Sequence, residues 1–182
     1  MARLPYVDPE KAPAQVREAL ERLPVKLNIF RMMAHAETSF RPMMGLGMSI
    51  LAQQQLSAKL RELVILRVGS LSNARYEWVQ HVPIALAAGA TEAQVAALER
   101  ADIEGPFDAL ERVVLRFTTE VVKQVRASDE TFAALAALVS PREVVELVLT
   151  IGYYMMIARL LETTAVDMDP PAGMRIVDAG RR

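Results

Sequence analysis

Glu62, Glu77 and His81 are the residues here whose types and spacing could move a proton. They stand in or just before the stretch NARYEWVQH, which packs a tyrosine, a glutamate, a tryptophan and one of only two histidines into nine residues. On a helix, Ala74, Glu77 and His81 fall at i, i+3 and i+7 and share one face with Ala85 and Ala88, so small residues leave space beside a polar pair. Glu62 sits on an apolar stripe with Ala58, Ile65, Leu66 and Gly69. A carboxylate there is expensive unless it is paired, and an imidazole partner would supply both a hydrogen bond and a compensating charge. In such a pair Glu62 would fix the tautomer of His81 and raise its basicity, with Glu77 as a second acid/base group one turn away. A buried histidine with one carboxylate partner also fits a purely structural role, and both readings stay open at this point. His35, in HAE at a helix end, suits terminal carbonyls.

For Glu62 to meet His81, two helices must pack antiparallel across a short link. Ser57 caps SAKLRELVILRVGS, the turn Leu71-Ser72-Asn73 follows, and ARYEWVQHVPIALAA returns. Counted from Ser72, Glu62 and His81 are almost equidistant and therefore level. Pro83 inside the second helix removes a donor and is expected to bend the axis. Arg67 and Arg75, near the turn, are the candidates to reach a substrate carboxylate, while Tyr76 and Trp78 are candidate substrate-binding aromatics that equally suit packing. Glu146 is a remote candidate, because VELVL echoes RELVI.

The remaining segments also read as helices. Asp8-Pro9 opens one reaching about Leu23, LNIFRMMAH and RPMMGLGMSILAQQQ form two more, and Thr91 and Ser140 begin capping boxes. FDALERVVLRFTTEVVKQV has a clear helical period. The last dozen residues, 170–182, look like a tail. Residues 1–182 are read as a single all-α domain.

Net charge is −1, with 21 basic and 22 acidic residues, which argues against nucleic acid or an anionic membrane as partner. The chain has no cysteine, which excludes a thiol nucleophile and a thiolate metal site. No metal or cofactor is expected, since no HExxH pattern or glycine-rich phosphate loop occurs. No secretory leader or membrane span is indicated, so a cytoplasmic placement is expected. Hydrophobic residues make up 52% of the sequence, and hiding so much apolar surface favours a homo-oligomer.

The run LRELVILRVGSLSNARYEWVQHVPIALAAGATEAQV closely resembles the core of the carboxymuconolactone decarboxylase family, which includes the AhpD-like proteins. The likeness is tight over about 56–98 and extends more loosely through NIFRMMAH and IGYYMMIARL. It implies an AhpD-like orthogonal bundle of about eight helices, assembled as dimers, trimers or hexamers. Peroxidase members carry CxxCxxxH with an upstream glutamate; laid on this chain, the cysteines fall at Ala74 and Glu77, the histidine at His81 and the glutamate at Glu62. Without thiols, alkylhydroperoxidase activity has no nucleophile. The resemblance therefore implies the decarboxylase branch: a cofactor-free acid/base lyase or isomerase on a small unsaturated lactone or organic acid. A non-catalytic helical oligomerisation module of the same fold is the alternative. On the catalytic reading, His81→Ala and Glu62→Gln are each expected to abolish turnover without loss of stability.

Overall fold

The computed structural model describes residues 1–180. Among the described residues it contains ten helices and no strand: α1 Ala14–Glu21, α2 Asn28–Met33, α3 Glu37–Ala52, α4 Ala58–Leu71, α5 Arg75–Ala87, α6 Glu92–Glu99, α7 Ala109–Gln124, α8 Asp129–Ala136, α9 Pro141–Thr164 and α10 Gly173–Gly180. The fold is thus all-α, with ten helices among the described residues where about eight were expected.

The helix expected to open at Asp8-Pro9 begins only at Ala14, with no side-chain cap, while four later starts are realised as hydrogen bonds. Ser57, Thr91, Ser128 and Ser140 each accept a backbone N–H of the first turn, and Thr91 and Ser140 close full capping boxes. α4 is the axial element. Every residue from Leu60 to Gly69 is buried, and the helix packs against α5, α6, α7 and α9. A helix covered on all sides needs apolar residues all round, which is why LRELVILRVG shows so little amphipathic contrast.

The antiparallel pairing of α4 with α5 depends on a tight reversal. Asn73 adopts φ 52, in the left-handed region that asparagine tolerates better than most side chains. Ala74 N then donates to Gly69 O at 2.9 Å and Asn73 N to Ser70 O at 3.3 Å, closing the end of α4. At Gly69 an added Cβ would stand 3.4 Å from Oε1 of Glu77, so glycine lets α5 lie close on α4. α5 runs unbroken through Pro83.

The segment expected as a tail contains α10, which docks on α5 and α3. Composition hides this, because the docking is carried by backbone groups. Gln80, buried on α5, donates Nε2 to Asp169 O at 3.2 Å and Pro170 O at 3.1 Å and accepts Ala172 N at 2.9 Å. A Cβ on Gly173 would come within 2.6 Å of Gln80 O, so only glycine fits this crossing. Gln80→Ala leaves those three backbone groups without partners, at a cost of about 1–3 kcal/mol. The expected result is faster hydrogen exchange at the Ala172 amide, with core amides of α4 unchanged; equal protection in both proteins would contradict it.

α9 is long and apolar enough to cross a membrane by length and composition, yet half of its apolar window is buried inside the fold, as in a core helix. Its outer face is different. Val145, Leu149 and Met156 are exposed at 58%, 47% and 38%.

Candidate active site

The turn brings Glu62 and His81 together as the spacing requires. Nδ1 of His81 lies 2.8 Å from Oε2 of Glu62, and the carboxylate is fully buried. Oε1 of Glu62 accepts Nε of Arg61 at 3.0 Å, with Arg61 itself 5% exposed. An ionised carboxylate can only accept, so this geometry holds the proton on Nδ1 and leaves Nε2 as the basic nitrogen. Tyr154 packs edge-on against the imidazole, ring centroids 4.9 Å apart, and fixes its plane. No tautomer other than Nδ1–H suits that partner.

His81 lies on the wall of a cavity of about 90 Å³. At ~10–15 Å³ for one water, this is room for a molecule of a few to about ten heavy atoms. The wall is mostly apolar, with Phe30, Met33, Met44 and Ile157 prominent, and its polar members are Tyr76, Glu77, Gln80, His81, Tyr153 and Tyr154. α10 contributes Gly173 and Ile176, so the C-terminal segment forms part of the enclosure. On α3, Gly47 leaves room for the Tyr153 hydroxyl, which an added Cβ would overlap unless the tyrosine side chain moved. That hydroxyl donates to Met43 O at 3.2 Å, and burial followed by the nearby Glu77 pushes its pKa up to about 12.

Glu77 is the most unusual group in the molecule. It is 2% exposed and lines the cavity, and neither carboxyl oxygen has a hydrogen-bond partner among the described residues. Burial, reinforced by the charges of Glu162 and Glu62, holds its pKa well above the usual carboxylate range. It therefore stands as a neutral acid able to donate, a turn away from a base able to accept. The linkage has a definite sign. With a raised folded pKa, the native state holds a proton the unfolded chain has lost, so stability falls as pH rises from the ordinary carboxylate pKa toward the folded one. The limiting slope for one proton is about 1.4 kcal/mol per pH unit. Glu77→Gln removes this dependence, and its stability advantage over the wild type is expected to widen between pH 5 and 8 in urea unfolding; parallel pH profiles would contradict it.

The other sequence candidates divide. Tyr76 lines the cavity, although a simple helical wheel turns it from His81, and its hydroxyl donates to Oδ2 of Asp169 at 2.5 Å. Burial and then that aspartate raise its pKa beyond the ordinary tyrosine range. Trp78, which the wheel puts nearer His81, lies instead in a separate apolar cluster with Leu63, Leu66 and Phe107. Arg67 points away as well: Nε donates to Thr119 Oγ1 and Nη1 to Ala101 O, both at 3.0 Å, tying α4 to α7 and to the α6–α7 connection. Its burial lowers its pKa. α4 is enclosed on every side, so a long cation on its far face finds backbone and hydroxyl partners before it can reach the cavity. Arg75 pairs with Glu99 at the surface, His35 bonds to Pro5 O, and Glu146 accepts Gln55 N and Leu56 N of the α3–α4 connection. None of these three lines the cavity. Gln80, Tyr153 and Tyr154 do so without any prior signal beyond the quoted IGYYMM.

An all-helical bundle with a carboxylate–imidazole pair on the wall of an apolar cavity presents a candidate site for a small molecule. Residues 37–120 match the model of the carboxymuconolactone decarboxylase family. The whole chain has the AhpD-like fold: it superposes on an uncharacterized peroxidase-related protein with an AhpD core from Ralstonia eutropha JMP134 with a TM-score of 0.79 at 17% identity, covering 100% of this chain and 97% of that one. A peroxidase-related protein from Silicibacter sp. TM1040 gives 0.75 at 19% identity, covering 96% and 94%. A cysteine-to-alanine variant of the debrominase Bmp8 in complex with 2,3,4-tribromopyrrole also gives 0.75, at 17% identity and 100% of both chains. At these identities the likeness is one of fold. No curated protein matches the chain.

Proposed function

We propose that this protein is a cofactor-free acid/base lyase or isomerase acting on a small unsaturated lactone or organic acid. His81 is the proton shuttle, Glu62 poises it, and Glu77 is the second acid/base group. The observation that carries this is the 2.8 Å contact between Glu62 and Nδ1 of His81, made on the wall of a cavity of small-molecule size. Bond making at Nε2 needs a neighbour that can stabilise charge on the substrate, and the protonated Glu77 has that character. A peroxidase chemistry like that named for the structural neighbours is disfavoured, since the sequence contains no cysteine to attack a peroxide. The test is incubation with a panel of unsaturated lactones in deuterium oxide, followed by mass spectrometry. Deuterium uptake at carbon, lost in the His81 variant, is expected; a panel that exchanges no faster with protein than without it would sink the proposal.

The same fold as a cytoplasmic, non-catalytic oligomerisation module is the second reading, and the apolar outer face of α9 favours it. A homo-oligomer is proposed on either reading. Charge at the centre of that face would have to be desolvated on assembly. Leu149→Glu is therefore expected to convert the assembly to smaller species in light scattering without lowering helicity; an unchanged mass would place the contacts elsewhere.

A further inference from the structure

We infer that the cavity takes an uncharged carbonyl compound, a cyclic enone or lactone of about seven to ten heavy atoms, and not a carboxylate. This rests on the acid/base reading of His81 and Glu77 and narrows its substrate class.

Charge accounting around the cavity leads there. Glu62 already has a cation, Arg61, and a second donor, His81. Among the described lining residues none is lysine or arginine. Arg67, which the sequence offered as a partner for a substrate carboxylate, is committed to Thr119 and Ala101, and Arg75, the other, pairs with Glu99 at the surface. An anion entering this space would lose its hydration and meet no compensating charge, while Glu62 lies just behind the imidazole. A neutral ligand avoids that penalty. What the cavity wall does hold is Glu77, whose two carboxyl oxygens are buried and have no hydrogen-bond partner among the described residues. In the protonated state these give one O–H donor, which matches a single carbonyl acceptor. The apolar wall of methionine, isoleucine and phenylalanine matches a hydrocarbon ring.

The reaction that fits is a 1,3-proton shift. In a β,γ-unsaturated ketone, Nε2 of His81 takes a proton from the carbon between carbonyl and alkene. The C–H electron pair forms a double bond to the carbonyl carbon, and the carbonyl π pair moves to oxygen, which takes the proton of Glu77. The enol then returns that proton to Glu77 and re-forms the carbonyl. Its electrons shift along the chain, and the γ-carbon takes the proton held by His81. Nothing is oxidised or reduced, and both side chains end as they began.

The test uses three probes with one ring: cyclohex-3-en-1-one, cyclohex-3-ene-1-carboxylate and cyclohex-3-en-1-ylammonium. Binding is read from the ring resonances of His81 in labelled protein, with His35 as an internal control outside the cavity. The ketone is expected to bind at least roughly tenfold more tightly than either ion. Glu77→Gln, which keeps a donor, should retain most of the ketone affinity, and Glu77→Leu should lose it, with both ions still excluded. Carboxylate binding as tight as the ketone's, a preference for the ammonium ion, or no response of His81 to any probe would each overturn the inference. Conversion to cyclohex-2-en-1-one is a separate readout. Selective ketone binding without conversion supports the substrate class while counting against the acid/base function; carboxylate binding with deuterium exchange at carbon does the reverse.

Discussion

Replacing Glu62 by glutamine is expected to cost about 3–5 kcal/mol of stability as well as turnover. The expectation from sequence alone, that folding would be spared, does not survive the discovery of Arg61. Its Nε bonds to Oε1 of Glu62 at 3.0 Å, and both side chains are essentially sealed from water. With glutamine in place, a guanidinium is left in the core with no counter-charge. The amide is also the wrong partner for two donors: one oxygen can serve Arg61 or His81, while the NH₂ then faces the other N–H. The imidazole can relieve this by shifting its proton to Nε2, which removes the base from the cavity. A loss of roughly 10²–10⁴ in rate goes with that shift. Urea unfolding and deuterium exchange on the same variant check both effects. A variant as stable as the wild type would mean that water reaches Arg61, and undiminished exchange would remove Glu62 from the mechanism. Glu62→Asp, which keeps the charge but shortens the reach, should recover part of the stability and little of the rate.

His81→Ala separates chemistry from folding more cleanly. The ring is partly open to the cavity, so truncation enlarges an existing void and leaves Glu62 paired with Arg61. A stability loss of about 1–2 kcal/mol is expected, below that of Glu62→Gln, because no charge is left alone. Turnover should fall by the full contribution of the base, about 10²–10⁴-fold. Added imidazole should restore part of it, since the cavity then has space for a small ring beside Glu62. Rescue that saturates with imidazole concentration would mark His81 as the proton carrier. A variant that keeps its rate would shift the chemistry to Glu77 alone.

Much of the site was legible from residue order because it is built on two adjacent helices and one short turn. The distance from Ser72 fixes the height of Glu62 and His81, helical period fixes the shared face of Glu77 and His81, and an apolar stripe around Glu62 demands a partner. Helix starts at Ser57, Thr91 and Ser140 were equally readable, since a cap is a local hydrogen bond between residues three apart. Arg67 and Trp78 were misplaced for a physical reason: period gives the direction of a side chain from its own helix, but not which neighbour that direction meets. On an enclosed helix such as α4 every direction meets something, and Arg67 found Thr119 instead of the cavity.

The sequence by itself determined the all-helical class, the caps, the α4–α5 reversal and the level pairing of Glu62 with His81, all of them set within a few turns of chain. Only the tertiary structure decided that Arg61 shares the carboxylate, that Tyr153 and Tyr154 on α9 wall the cavity, and that residues 167–180 dock over it through Gln80 and Asp169. These contacts join residues as many as 93 positions apart, and their partners include backbone carbonyls and amides that every residue carries. Such pairings leave no mark in residue type. They become definite only when packing closes the space and each buried polar group must find the neighbour that remains.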